Sequence, residues 1–315
     1  MSNLQTIMLL REQISELKVL ISEAEKDEDI VGKLSFVRRL DSVSAELDDL
    51  LVSDAKVGEV VVLFDGAPVN GTIGIDAKFA TNALNHFQAI VTRLFASKIP
   101  GPINARGKIR GSDLIGLDIR GVATGSFGFL LEERDAAQYS ALKTPIRESL
   151  EEAAEILREF AQDDDDEFLI EVDDINPRIF MACAKFFRHL KSNSASFKAT
   201  LPDRSYAFGL SDIDRAYKRI SDTRVKIETF QWRGTLVGLS PIKRSFDFRK
   251  EGEDYIVSGN FSHQVSQDYL ERIENRKGIT LGGSFDAKIE VGTIKKPDGT
   301  TSISYTVTDL TEAEG

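Results

Sequence analysis

Residues 225–239 read VKIETFQWRGTLVGL, a β-branched and aromatic run broken by Gly234 and Gly238. Such side chains suit a pleated strand, and glycine inside a strand permits the bend or bulge that lets one long strand serve both sides of a barrel. Two shorter strands follow, Arg244–Arg249 and Tyr255–Asn260, around the turn Glu251-Gly252. Gln264–Asn275 then reads as a helix, and Thr280–Val291 and Thr301–Leu310 as strands about the turn Pro297-Asp298-Gly299. Three strands, a helix and two strands predict a five-stranded barrel over residues 223–311.

That element order, with a long glycine-bent first strand and a helix between the third and fourth, resembles the OB fold; an SH3-like barrel is the alternative. The resemblance implies single-strand binding on strands two and three, by stacking on aromatics and by cations on the backbone. Arg244, Phe246 and Phe248 share one strand face, Trp232 and Tyr255 lie near it in the order of strands, and Lys243, Arg249, Lys295 and Lys296 ring the loops. Strand parity sets the opposing expectation. If Phe246 and Phe248 point inward they line the core, and the outer face holds only Ser245, Asp247 and Arg249, a poor stacking platform. The candidate residues for nucleic acid or another partner are therefore Trp232, Arg244, Arg249, Tyr255, Lys295 and Lys296.

Upstream, Leu10, Ile14, Leu17, Ile21 and Ala24 recur at spacings of four and three, and Val37, Leu40, Val43, Leu47 and Leu50 repeat the stripe after Lys26-Asp27-Glu28-Asp29 and Gly32. This predicts a helical hairpin or coiled coil over residues 1–52. Helices this short bury little alone, so they either dock on the rest of the chain or pair with another copy; Leu10, Ile14, Leu17, Ile21, Leu40 and Leu47 are the oligomerisation candidates.

Residues 59–222 read as an α+β domain. Glu59–Phe64 is a strand. A helix with Phe79, Leu84, Phe87, Val91, Leu94 and Phe95 on one face follows Asp76 and ends before Pro100-Gly101-Pro102. Leu114–Ile119 and Val122–Leu131 form a hairpin. Thr144-Pro145 and Asn176-Pro177 start two more helices, and 197–201 with 205–208 forms a second hairpin. The fold class is α+β.

The 315-residue chain has a net charge of −11, 41% hydrophobic and 29% charged residues, and one cysteine. This composition is globular, and the negative charge opposes coating of DNA by bulk electrostatics. Residues 224–310 carry about equal numbers of basic and acidic side chains, so nucleic-acid contact belongs to that third. No apolar run approaches the roughly 18 to 20 residues of a membrane span, Met1–Leu10 lacks the pattern of a secretory signal, and Cys183 has no second cysteine to pair with. A cytoplasmic protein without membrane contact is expected.

No motif names a reaction. The run Gly121–Gly128 lacks the Lys-Ser or Lys-Thr of a phosphate loop and continues as a strand, and Ser126 lacks the glycine two residues before it that a nucleophile turn requires. Asp163–Glu167 has no glycine and no ligand spacing, so it reads as a solvated linker rather than a calcium loop. Glu132-Glu133 and Asp173-Asp174 are adjacent in sequence, which does not press carboxylates together. His86, His189 and His263 fall in three separate segments. No catalytic residue, metal or cofactor is expected.

The N-terminal hairpin, the segments Gly74-Ile75-Asp76-Ala77-Lys78-Phe79 and Gly125-Ser126-Phe127-Gly128-Phe129, and the small terminal barrel together resemble bacterial accessory-genome proteins. The resemblance implies a partner or regulatory role, with antiviral defence as a setting. The leading expectation is a non-catalytic interaction protein that forms homo-oligomers through its N-terminal helices and recognises a protein partner with its barrel. The alternatives are a single-stranded nucleic-acid binder working through residues 223–311 and an enzyme with a site scattered over the central domain.

Overall fold

The computed structural model describes residues 3–54, 57–98, 116–123, 127–134, 144–163, 168, 172, 175–240, 244–261, 265, 269 and 281–313. By contacts the chain gathers into two compact units: Met1–Asp76 with Gly116–Ala154 and Ala195–Phe208, and Ala77–Ile115 with Glu155–Ser194 and Gly209–Gly315.

The first unit is built on an antiparallel sheet. Its strands are β1 (Glu59–Gly66), β4 (Leu117–Ala123), β5 (Phe127–Glu133), β6 (Ala195–Thr200) and β7 (Ser205–Phe208), in the order β4-β5-β1-β6-β7. The short pair β2 (Val69–Asn70) and β3 (Gly74–Ile75) stands beside it as a separate ladder. β1 is central and its residues Glu59 to Phe64 are all buried, which is why its sequence is a continuous apolar run rather than an alternating one. The glycine of the β5 segment has a packing reason: Gly128 pairs with Leu63 on β1 and Ala123 on β4, and a Cβ there would overlap the Val62 carbonyl.

α1 (Asn3–Lys26) and α2 (Ile30–Asp54) form the hairpin and pack along each other. Its start docks on the sheet of its own unit. Leu4, with Met8 beside it, covers Val61, Leu63, Ala123 and Leu130, and the Leu4 amide donates to the Glu59 carboxylate at 3.3 Å. Leu10 is buried, whereas Ile14, Leu17, Ile21, Leu40 and Leu47 are half-buried.

Glu132 and Glu133 point to different surroundings, as alternation along a strand requires. Glu132 meets Arg120 at 3.4 Å, while buried Glu133 accepts from the Gly58 amide at 3.1 Å and the Thr144 hydroxyl at 2.6 Å. Thr144 in turn accepts from the Arg147 amide, capping α4 (Pro145–Ala161), and the Arg147 guanidinium holds Glu151 at 2.6 Å and Asp203 at 3.0 Å.

The second unit contains α3 (Ala77–Lys98), α5 (Pro177–Ser192), α6 (Leu210–Asp222) and the barrel. Phe160 gathers Phe168, Phe180 and Phe187 within 6.2 Å between ring centres. Asn176 caps α5 through its side chain with Pro177 in the first turn, as its sequence predicts. α6 is an element the sequence reading does not contain. Its Arg219 donates to the carbonyls of Phe160 and Gln162, and Arg215 to that of Ala161, placing two cations on the C-terminal carbonyls of α4. No helix among the described residues is long and apolar enough to cross a membrane.

The barrel comprises β8 (Arg224–Ser240), β9 (Ser245–Lys250), β10 (Ile256–Phe261), β11 (Ser284–Lys295) and β12 (Thr301–Glu312). It closes in the order β10-β12-β11-β8-β9, with β10 and β12 parallel and every other pair antiparallel. The third strand thus pairs with the fifth and the first with the fourth, the pairing of an OB-like barrel. The expected irregularity in β8 lies between Leu236 and Gly238.

Candidate functional site: the open mouth of the barrel

The two ends of the barrel differ. At one, Val265 and Tyr269, from the segment between β10 and β11, are buried against the core, with the Tyr269 ring 6.2 Å from Phe261 and Phe261 5.2 Å from Phe246. Apolar side chains stopper that end.

The other end is open because the strands have unequal lengths. β9 pairs with β8 only from Gly234 onward, and β10 meets β12 only at Asn260–Thr306 and Phe261–Val307. The first half of β8, the second half of β11 and the first half of β12 therefore continue past the closed barrel as a three-stranded skirt. Cross-strand partners share a face. On the face continuous with the barrel interior the register sets Phe230 with Ile289 and Val307, Glu228 with Val291 and Tyr305, Lys226 with Thr293 and Ile303, and Arg224 with Lys295 and Thr301. The opposite face is covered by the start of α5: a Cβ on Gly292 would lie 2.7 Å from the Pro177 ring, Arg178 pairs with Glu290 at 2.6 Å, and Ile294 is buried.

At the junction of barrel and skirt sits an aromatic cluster. Trp232 is half-buried, with ring centres 6.4 Å from Phe230 and 5.9 Å from Tyr305, and the Lys250 ammonium stands 5.4 Å from the centre of the Trp232 rings. Phe230 is 41% exposed and Ile303 52%, so the rings and the aliphatic ledge beyond them face solvent. Charge is divided around the mouth. Lys226, Arg224 and Lys295 lie along the skirt, with Lys226 also 2.8 Å from Glu228, while the β9–β10 turn carries Glu251, Glu253 and Asp254, Glu253 lying 3.5 Å from Lys250.

The residues singled out from sequence are only partly brought together. Trp232 lies in the cluster, and exposed Lys295 at the far end of the skirt. Tyr255, 53% exposed, stands next to Ile256, the cross-strand partner of Arg249, on the outside of the same end. Arg244 lies at the stoppered end with φ 55°, about 17 Å along β9 from Arg249 at the usual rise per residue. Lys296 is 7% exposed. Lys243 falls outside the described residues. Phe246 and Phe248, at 1% and 0% exposure, take the inward parity, so the outer face of β9 and β10 presents Asp247, Arg249, Ile256 and Ser258, with Asp247 accepting from Ser258 at 2.6 Å.

Sequence reading missed Phe230, Lys250, Arg224, Lys226 and Tyr305. The alternation Phe230-x-Trp232 was available as a signal for the first. Tyr305 required the register between β11 and β12.

A second grouping also escaped the sequence. His86 on α3 and His189 on α5 meet edge to face at 5.5 Å, and His189 stacks on Phe79 at 5.0 Å with Nε2 3.1 Å from the Phe79 carbonyl oxygen. Burial, then the neighbouring His189 and Lys185, hold the His86 pKa below its ordinary 6.5. The native state therefore binds this proton more weakly than the unfolded chain, and stability is lost as pH falls from the ordinary value through the lowered one. Denaturant midpoints at about pH 7.5 and about pH 5.5 should differ, and His86→Gln should narrow the difference; an unchanged gap would remove His86 from the account.

Among the described residues no group of three His, Cys, Asp or Glu side chains is placed to hold a metal ion. Asp163 pairs with Arg215, Cys183 is buried, and Asp164–Glu167 and Asp173-Asp174 lie outside the described residues. No protein-family model, curated protein or solved structure matches the chain.

Proposed function

We propose that the chain is a recognition protein whose barrel captures a partner by stacking flat rings in the mouth formed by Phe230, Trp232 and Tyr305. One observation carries the reading. Three aromatic rings and a lysine converge at the open end of a barrel whose other end is stoppered, and the most accessible ring is a phenylalanine that core packing does not require to be solvent-facing. An exposed aromatic cluster bordered by polar groups is a common form of binding surface. The hairpin is assigned an assembly role through Ile14, Leu17, Ile21, Leu40 and Leu47, which the hairpin itself leaves half-covered.

Trp232 is the only tryptophan of the chain, so its emission reports this mouth alone. Titration with adenosine and, separately, with an N-acetylated tyrosine amide should change that emission saturably in the intact chain and much less in Phe230→Ala. Absence of a saturable change with either ring would refute the mouth as a recognition site.

A further inference from the structure

We infer that the mouth and its skirt form one track for a single-stranded nucleic acid, its bases stacked on Phe230, Trp232 and Tyr305 and its phosphates running out along Lys226, Lys295 and Arg224. This rests on the recognition reading above and names the class of partner.

Three features select a polyanion with flat rings over an aromatic peptide or an isolated small ring. The first is direction. From the rings outward along one open face, the paired rows carry Glu228 with Tyr305, then Lys226 with Ile303, then Arg224 with Lys295. The lone carboxylate of those rows lies against Lys226, and the two outer rows supply three cations. Alternate residues on one face repeat about every 6.6 Å, so the cations extend about 20 Å from Phe230, the reach of several linked nucleotides rather than one ring.

The second is asymmetry. Glu251, Glu253 and Asp254 lie together in the β9–β10 turn beside Lys250, so that edge of the mouth carries net negative charge and disfavours a polyanion, whereas the skirt carries net positive charge. The net charge of −11 has the same effect across the rest of the chain, and it predicts binding that is confined to this face and weakens with salt.

The third is cover. The other face of the skirt is packed on the start of α5 through Gly292–Pro177 and the Arg178–Glu290 pair, whose partners are each 12% exposed, so the skirt is a braced platform open on one side. Stacking surfaces beside a cationic groove bind single strands with little regard to sequence, with footprints of roughly 4 to 16 nucleotides per OB-type barrel. The track differs from the outer face of strands two and three, which here presents Asp247 and Arg249 without a stacking ring on those strands.

The test uses Trp232 emission with the full chain, titrated with dT12, rU12 and thymidine at several salt concentrations. Both 12-mers should bind at least about tenfold more tightly than thymidine, and the logarithm of the affinity should fall with the logarithm of salt at a slope near −2, as about three phosphate contacts require. Charge reversal in the double variant Lys226→Glu, Lys295→Glu should flatten that slope to a magnitude of less than about 1 while leaving the response to thymidine intact. A response confined to one 12-mer would support the track for that strand alone, since the two differ both in sugar and in the thymine methyl. Thymidine and adenosine binding with no gain for either 12-mer, or a salt-independent affinity, would overturn the track and leave the recognition reading standing; no response to any ring would overturn both.

Discussion

Phe230→Ala is expected to lower the affinity for a twelve-nucleotide single strand by about tenfold or more while leaving the melting temperature of the chain almost unchanged. A base stacked on an aromatic side chain is worth about 1–3 kcal/mol by alanine replacement, and about 1.4 kcal/mol is a factor of ten in affinity. The two halves of the expectation come from where the ring lies. Phe230 is 41% exposed, so it is available to a base, and it is not among the side chains packed against the buried barrel cluster, so its removal opens no cavity there. Trp232 and Tyr305 do not separate the effects so cleanly, because both also pack against the buried barrel cluster. Trp232→Ala should weaken binding more, yet part of that loss would be packing. Trp232→Phe keeps a ring and should retain most of the affinity. Anisotropy of a labelled strand, paired with thermal melts, checks the series. Unchanged affinity in Phe230→Ala would remove the platform, and a loss that tracks the melting temperature would reduce it to a folding effect.

The barrel was legible because its signals are local. Val225–Leu239 is β-branched with two glycines, and each hairpin has its own turn residues; Phe246-x-Phe248 fixed that one face of its strand was aromatic, while whether that face was core or stacking platform waited on the fold, which buries both rings. The mouth was not legible. Whether Lys295 or Lys296 faces it depends on which alternate residue of β11 pairs with β8, and that register shifts against β12 between Lys288 and Ile289. The sequence offered both lysines; the fold exposes one and buries the other. Tyr305 and Trp232 meet only because β8, β11 and β12 coil together past the barrel. Long-range packing hid the histidines in the same way, since Phe79 and His189 are 110 residues apart. The helix α6 was missed for a different reason. It buries Ile213, Ala216, Arg219 and Ile220, and one of those four is an arginine that caps another helix, so its apolar stripe was too thin to read.

Gly234→Ala should destabilise the barrel by about 3 kcal/mol, the upper end of the usual overpacking penalty, and lower its melting temperature by roughly 10 °C. Gly234 sits where β9 begins to pair with β8, at the boundary between closed barrel and open skirt. An added Cβ there overlaps the Arg249 carbonyl and comes within 2.7 Å of the Phe248 ring and 2.9 Å of the Lys250 Cα, and two of these three contacts are backbone of the paired strand. Backbone cannot swing aside without parting the ladder, and Phe248 is a core residue at 0% exposure. Gly238→Ala provides the matched comparison. The nearest atoms to the Cβ it adds all belong to the Asp247 side chain, whose carboxylate can rotate away at the expense of its 2.6 Å bond from Ser258, so the expected loss is about 1 kcal/mol. Both substitutions carry the same propensity change in the same strand, which leaves the neighbour as the variable. Trp232 lies two residues from Gly234, so its emission follows the unfolding of this region directly, and the Lys250 held over its rings should be displaced in Gly234→Ala even before global melting. Equal losses for the two alanines would mean that β8 does not need its bend at Gly234, and the skirt would then have to be held open by something other than the close crossing of β8 and β9.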